Sequence, residues 1–237
     1  MKIIIDTPEK IAEAAAKRYV ELLSEKPDAV LGYATGSTPL DLYAELARLN
    51  RAGEITFKDV TTFNLDEYVG LDGTHDQSYR YFMDKNLFEK IDVDMAKTHV
   101  PSGMDVDKAA EYDKAIEAAG GIDLQLLGIG NNGHIGFNEP GTPFGSVTHI
   151  VELTKSTREA NKRFFSSIDE VPTHAVTMGI KTVMNARKII FIALGKAKAP
   201  IVREMIKGDV TPEVPASVLQ LHPDVEVYLD FEAAALL

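Results

Sequence analysis

The sequence predicts an α/β fold in which helices cover both faces of a parallel or mostly parallel sheet. Short apolar runs, typical of buried strands, alternate along the chain with segments of helical periodicity. Three of these runs end in polar clusters, as strands do at the carboxyl edge of an open α/β sheet. The 237 residues contain no linker-like stretch and no fixed-period repeat. We therefore expect one domain that spans residues 1–237.

The individual elements follow from these patterns in chain order. The predicted strands are short, mainly apolar runs at residues 2–5, 29–34, 60–64, 122–127, 149–153, 188–194 and 225–230. The first helix begins at Pro8, and Ile11, Ala15, Tyr19 and Leu22 recur within it at helical spacing. Further helices are expected from the end of the 35–39 segment to about residue 49, and at residues 76–88, 106–119, 156–165 and 196–207.

Composition limits the function of the chain. Its hydrophobic content of 45% and charged content of 26% are ordinary for a soluble globular protein. Because it has no run of about 18 apolar residues and no signal-peptide pattern, we expect a cytoplasmic protein without a membrane partner. The absence of cysteine excludes disulfides, cysteine nucleophiles and thiolate zinc sites. A net charge of −11 argues against nonspecific nucleic-acid binding. An anionic small substrate would need a few cations concentrated at its pocket.

The segment 128–140, with the sequence GIGNNGHIGFNEP, is the most informative part of the chain. It follows a predicted buried strand, and its glycines and asparagines allow a sharp turn. His134 and Glu139 lie five residues apart in it. Imidazole transfers protons near neutral pH, and a carboxylate can hold it in one tautomer. The spacing matches no zinc signature. The segment therefore predicts a proton-transfer site without a metal.

Two other predicted strand ends carry polar groups. The segment 35–39, TGSTP, lies between a strand and a helix, so it is either an anion-binding turn or a helix start capped by Ser37 or Thr38 with Pro39 in the first turn. It lacks the ending of a Walker A loop. Asp66-Glu67 follows the strand at 60–64 and is either a solvated acidic pair or a source of a catalytic base.

Two cations are candidates for binding an anion. Arg163 and Lys198 do not stand out by spacing alone, and most such cations are solvated. Lys198 follows the strand at 188–194 in the first turn of a predicted helix. Cations at this position oppose the helix dipole, so a bound anion would explain the charge there.

Together, several segments resemble the glucosamine-6-phosphate deaminase family. The segments 63–71 (FNLDEYVGL) and 133–140 (GHIGFNEP) are similar to the two signatures of that family. The segments 35–39, 160–165 and 219–223 match in the same order, so the resemblance covers nearly the whole chain. It implies a three-layer α/β/α sandwich with a mostly parallel, Rossmann-like sheet. It also implies conversion of glucosamine 6-phosphate and water to fructose 6-phosphate and ammonia, with no metal or organic cofactor.

The resemblance also implies a role for each matching residue. Asp66 would be the base that moves a proton from C2 to C1, and His134 would open the sugar ring, oriented by Glu139. Asn132 stands where many family members carry aspartate, and we expect it to position groups during ring opening. A lid is expected around residues 142–175. The phosphate would be bound by Thr35, Gly36, Ser37, Thr38, Arg163 and Lys198.

Two alternatives and one regulatory expectation accompany this interpretation. A 6-phosphogluconolactonase usually has arginine where Tyr68 stands, and it lacks the ending of the 133–140 motif. A sugar-phosphate-sensing regulator carries an N-terminal DNA-binding segment, whereas this chain begins with its first predicted strand. The allosteric, hexameric members have basic residues at the positions of His149 and Val151. We therefore expect an unregulated monomer or small homo-oligomer.

Overall fold

The centre of the protein is a parallel β-sheet. A computed structural model describes residues 1–162 and 165–237, and within these residues the sheet has seven strands. They are β1 (Lys2–Ile5), β2 (Val30–Tyr33), β3 (Thr61–Asn64), β5 (Thr98–His99), β6 (Leu124–Leu127), β9 (Lys188–Ala193) and β10 (Val225–Leu229). Their order across the sheet is β1-β10-β9-β6-β2-β3-β5, and each neighbouring pair is parallel. This confirms the predicted α/β class.

A second, antiparallel sheet lies beside the first. In the described part of the chain it contains three strands, β4 (Asp66–Tyr68), β8 (His174–Thr177) and β7 (His149–Glu152), in the order β4-β8-β7. The sequence predicted neither β8 nor β4. The interpretation of Asp66-Glu67 as a solvated acidic pair is wrong, because both residues are buried and pair with Thr177 and Val176 of β8. The three residues of β4 are too few for a period-two pattern to be recognised.

Helices cover the parallel sheet and lie close to the predicted positions. They are α1 (Pro8–Glu25), α2 (Leu40–Arg51), α3 (Tyr79–Asn86), α4 (Ala109–Ala118), α5 (Lys155–Asn161), α6 (Ile180–Met184) and α7 (Ala199–Lys207). The starts predicted for α3, α4 and α7 are too early. The hydroxyl oxygen of Ser78 caps α3 by accepting a hydrogen bond from the backbone N–H of Tyr81, and short 3₁₀ turns precede α4 and α7. The sequence did not predict α6.

The core is built around the central strands of the parallel sheet. All residues of β2, β6 and β10 are buried, which is typical of strands covered on both faces. Tyr33 of β2 stacks on Tyr19 of α1 and meets Tyr43 of α2 edge-on, with ring centroids 6.1 and 5.6 Å apart. These contacts pack the carboxyl end of β2 against α1 and α2. Within residues 1–162 and 165–237, every helix is too short or too polar to cross a lipid bilayer.

Candidate active site

A cavity of about 720 Å³ opens at the carboxyl edge of the parallel sheet. Its walls come from the segments that follow β2, β6 and β9, and from β4 and α5. Such an edge is where open α/β sheets bind their ligands. The predicted site residues that line the cavity are Thr35, Gly36, Ser37, Thr38, Asp66, Asn132, His134 and Lys198.

The segment after β2 lines this cavity and contains three residues with hydroxyl groups. The N-cap of α2 is Pro39, and no side chain makes a capping hydrogen bond there. The interpretation of Ser37 or Thr38 as the helix cap is therefore wrong, as is the placement of Pro39 in the first turn. Because both hydroxyl residues line the cavity instead, the segment supports the other interpretation, an anion-binding turn.

The loop that follows β6 holds the imidazole of His134 against its own backbone. An added Cβ at Gly130 would lie 2.3 Å from the ring atoms of His134, so no larger residue fits there without a shift. Nδ1 of His134 lies 3.5 Å from Oε2 of Glu139. Asn132 accepts a hydrogen bond from the backbone N–H of His134 at 3.3 Å. The expected imidazole–carboxylate pair is therefore present in the structure.

Glu139 lies behind His134 and is only 6% exposed. Its Oε2 accepts a hydrogen bond from Nδ2 of Asn132 at 2.5 Å, and its Oε1 accepts one from the hydroxyl of Thr157 at 2.5 Å. Burial raises the pKa of Glu139, but the nearby His134 ring and the donors on Thr157 and Asn132 outweigh burial and lower it to about 2. The carboxylate is therefore anionic at neutral pH.

The amide of Asn132 suits this arrangement. Its Nδ2 supplies a hydrogen to the carboxylate of Glu139 across 2.5 Å. An aspartate at this position would set two carboxylates against each other, which is unfavourable unless a proton is shared between them. The negative charge beside His134 is consequently supplied by Glu139.

Asp66 is the second titratable group of the cavity. It is 6% exposed, lies directly opposite Thr177 in the β4–β8 pair, and lines the cavity. Burial and, to a lesser extent, the neighbouring carboxylate of Glu67 raise the pKa of Asp66 to about 8. Such a value lies in the range that suits a general base near neutral pH.

Gly136 lies where the loop that carries His134 comes close to Asp66 of β4. Its φ of 56° is in the left-handed region, which favours glycine. An added Cβ there would lie 2.8 Å from the hydroxyl oxygen of Thr177 and 3.5 Å from Oδ2 of Asp66. The loop that carries His134 therefore approaches Asp66 closely, although the two residues are far apart in the sequence.

Glu67 has a structural role. Its carboxylate accepts hydrogen bonds from the backbone N–H groups of Tyr68, Tyr79 and Arg80 at 2.8, 2.9 and 3.0 Å. Tyr79 and Arg80 begin α3, so Glu67 satisfies two donors at the N-terminus of that helix. Burial raises the pKa of Glu67, and these three N–H groups oppose the rise. The two adjacent carboxylates thus have separate environments.

Lys198 supplies a cation to the cavity. It ends a 3₁₀ turn and forms the N-cap of α7, close to its predicted place in a first helical turn. Its Nζ donates to the carbonyl of Ile129 at 2.7 Å and to Oδ1 of Asn131 at 2.8 Å. Both of these acceptors are neutral groups. Arg163, the second predicted cation, lies outside the described residues.

Some residues of the cavity were not predicted from the sequence. Tyr68 and Tyr79 form an aromatic wall with Phe137, with ring centroids of Tyr79 and Phe137 5.9 Å apart. Thr157 and Asn161 reach the cavity from α5. Their spacing in the sequence gives no functional signal, because aromatic residues and threonines near helix starts are common in cores and caps. No cluster of three or more metal-ligating side chains occurs within residues 1–162 and 165–237.

The segment 219–223 does not line the cavity that contains Asp66 and His134. It overlaps a 3₁₀ turn at Pro215–Leu221, and none of its residues lines the cavity. His222 is buried, and its Nε2 lies 2.8 Å from the carbonyl oxygen of Ala186. This part of the resemblance therefore reflects packing.

Comparison with known proteins identifies the family. A family model described as "Glucosamine-6-phosphate isomerases/6-phosphogluconolactonase" matches residues 6–228. The chain belongs to this family. Among family relatives named glucosamine-6-phosphate deaminase, one from Bacillus pumilus is 50% identical over 100% of both chains. Another, from Clostridium perfringens, is 51% identical and covers 99% of this chain and 98% of its own length.

Solved structures agree with this family membership. The structure of a monomeric glucosamine-6-phosphate deaminase is 44% identical, covers 100% of both chains and superposes with a TM-score of 0.97. A 6-phosphogluconolactonase from Trypanosoma cruzi superposes with a TM-score of 0.77 at 20% identity. At that identity the second likeness supports only the family's shared fold.

Proposed function

We propose that this protein is a glucosamine-6-phosphate deaminase, which converts glucosamine 6-phosphate and water to fructose 6-phosphate and ammonia. The observation that carries the proposal is one cavity holding two distinct proton-transfer groups. These are the buried Asp66 carboxylate and the His134 ring backed by Glu139. The relatives of that name, about half identical over the full chain, support the same activity.

Ring opening is the first step, because the closed sugar has no carbonyl group. His134 takes the proton of the O1 hydroxyl and delivers a proton to O5, so that the C1–O5 bond breaks and a C1 aldehyde forms. Nδ1 of His134 faces Glu139, which leaves Nε2 for the substrate. The anionic Glu139 stabilises the imidazolium that exists between the two transfers.

Enolisation and hydrolysis follow in the open chain. Asp66 takes the C2 proton, and the C1 oxygen takes a proton from the substrate's own C2 ammonium group, which gives a C1–C2 enolamine. Return of the proton to C1 leaves an imine at C2. Water adds to this imine, ammonia departs, and the C2 ketone of fructose 6-phosphate remains. The pKa of about 8 gives Asp66 enough basicity for this transfer.

The phosphate group is proposed to lie between the 35–38 segment and Lys198. Thr35, Gly36, Ser37 and Thr38 line the same cavity as Lys198. Hydroxyl and backbone N–H groups, like an ammonium group, are suitable donors to a phosphate. Binding at this end fixes the distance from the phosphate to C1 and C2, which orients the reacting atoms. Arg163 is also proposed to bind the phosphate, and this proposal rests on the family resemblance alone.

The direct test is ammonia release by the pure protein without added metal. We expect glucosamine 6-phosphate to give equal amounts of ammonia and fructose 6-phosphate. The lactone of 6-phosphogluconate should be hydrolysed no faster than in buffer. Lactone hydrolysis without ammonia release would favour the lactonase. Tight binding of the sugar phosphate without turnover would favour a sensor, and either result would refute the proposal.

Several finer expectations accompany this function. We propose a cytoplasmic monomer of one domain, without allosteric activation and without a nucleic-acid partner; a solved relative is itself described as monomeric. Light scattering should give the monomer mass of 26.0 kDa. A sigmoidal rate curve that becomes hyperbolic with N-acetylglucosamine 6-phosphate would contradict the absence of regulation.

Residues 142–175 are proposed to act as a lid, since Ser156, Thr157, Asn161 and Phe165 line the cavity.

A further inference from the structure

The first turn of α5 is attached to the carboxylate of Glu139. Thr154 is the N-cap of α5, and its hydroxyl oxygen accepts a hydrogen bond from the backbone N–H of Thr157 at 3.2 Å. The hydroxyl of Thr157 donates in turn to Oε1 of Glu139 at 2.5 Å. Thr157 is 5% exposed and Glu139 is 6% exposed, so the contact is shielded from water. A buried hydrogen bond to a charged group is among the stronger kinds.

The hydroxyl protons fit one consistent arrangement. Each threonine has one hydroxyl proton to donate. The Thr157 proton points to Glu139, and the Thr154 proton can then be donated to the oxygen of Thr157 at 3.0 Å. The direct contact from Thr154 to Glu139 is longer, at 3.3 Å. Thr157 is therefore the principal link between α5 and Glu139.

The two oxygens of Glu139 have different partners. Oε1 is bound by the hydroxyl of Thr157, whereas Oε2 accepts the amide of Asn132 and faces Nδ1 of His134 at 3.5 Å. A carboxylate fixed at both oxygens cannot rotate without breaking a hydrogen bond on each side. The orientation of the oxygen that faces the imidazole thus depends on a contact made from a separate element.

We propose that Thr157 is a positioning residue for ring opening, acting through Glu139 on His134. This inference rests on the proposed function. Without the hydroxyl, the carboxylate would lose a charge-assisted hydrogen bond and its fixed orientation. The imidazolium would then be less stabilised during the proton transfer between O1 and O5. Enolisation by Asp66 would not be impaired, since no hydrogen bond or ion pair in the described part of the chain links the Asp66 carboxylate to Thr157 or Glu139.

The first experiment measures the titration of Glu139 by carboxyl ¹³C NMR, assigned with Glu139→Gln. Thr157→Val removes the hydroxyl at nearly constant volume, and Thr157→Ser keeps it. Thr148→Val is a matched control, because Thr148 is 4% exposed and its hydroxyl has no hydrogen-bond partner among the described residues. We expect the pKa of Glu139 to rise by about 1 to 2 units in Thr157→Val only.

The second experiment measures kcat/KM together with the primary isotope effect of substrate deuterated at C2. In Thr157→Val, kcat/KM should fall about 10- to 100-fold. A loss of this size corresponds to the free energy of one hydrogen bond to a charged group. The isotope effect should move towards unity, because ring opening rather than C2 proton removal then limits the rate. Thr157→Ser should restore both quantities.

The outcomes separate this inference from the proposed function. The inference is overturned if the pKa of Glu139 is the same in Thr157→Val and Thr148→Val. It is equally overturned if the two variants have the same kcat/KM. It is also overturned if turnover slows while a wild-type isotope effect above unity stays unchanged, as a general loss of folded protein would produce. If the wild type releases no ammonia, the proposed function fails, and the titration still tests the contact between Thr157 and Glu139.

Discussion

Replacing Asp66 by asparagine should stabilise the protein while abolishing its activity. Asp66 is 6% exposed, and its pKa is raised from 3.8 to about 8, chiefly by burial and then by Glu67. Asparagine has nearly the same shape and carries no charge at any pH. The variant thus removes the penalty of ionisation without opening a cavity in the site.

The size of the effect follows from linkage between protonation and folding. Between pH 3.8 and 8, Asp66 is ionised in the unfolded chain but protonated in the folded protein, so the folded state binds more protons. The wild type therefore loses stability as pH rises through this window, by up to about 1.4 kcal/mol per pH unit. At pH 7 the accumulated difference is about 4 kcal/mol, and it becomes constant above pH 8.

Urea unfolding of both proteins from pH 4 to pH 9 measures this difference. The wild type and Asp66→Asn should be equally stable near pH 4, and the variant should be more stable by several kcal/mol near pH 8. A difference that stays the same across this range would show that burial does not raise the pKa of Asp66. The assignment of this carboxylate as a base poised near neutral pH would then be wrong.

Three further predictions concern other parts of the site. The kcat/KM of the wild type should fall about tenfold per pH unit below the pKa of Asp66, because the base must be ionised, and a flat profile from pH 6 to 8 would contradict this. Lys198→Ala should raise the KM for glucosamine 6-phosphate about 10- to 100-fold, and an equal rise in the exposed control Lys196→Ala would argue against a phosphate contact. Glu67→Ala should lower the free energy of unfolding by about 1 to 3 kcal/mol, because three backbone N–H groups lose their acceptor. The same loss in the exposed control Glu13→Ala would contradict that role.

Six of the seven strands described in the parallel sheet were predictable, because they are mainly apolar and separated by periodic helices. The exception is β5, whose two residues are too few to form a pattern. The strands β6, β9 and β10 lie within one to two residues of their predicted bounds. The antiparallel sheet was not predictable in the same way. Strand β4 has the sequence DEY, and its polarity indicates a loop unless the partner β8 is known. Long-range pairing, rather than local propensity, determines its conformation.

The family resemblance assigned the base to Asp66, but residue type and position alone could not separate the roles of Asp66 and Glu67. Both are carboxylates at the end of an apolar run, and either suits a base. The structure distinguishes them, because three backbone N–H groups bind Glu67 whereas Asp66 reaches the cavity. The contact between Thr157 and Glu139 likewise could not be predicted from the sequence. Its hydroxyl lies 18 residues after Glu139 in the chain, and only the packing of α5 brings the two together.

The most direct test of the account follows the C2 hydrogen of glucosamine 6-phosphate by NMR in D₂O. The wild type should release ammonia and remove the C2 hydrogen, which is then found at C1 or in the solvent. Asp66→Asn should bind the substrate with an affinity close to that of the wild type, yet leave the C2 hydrogen in place and release no ammonia. Near-normal turnover by Asp66→Asn would contradict the central claim that this buried carboxylate is the base.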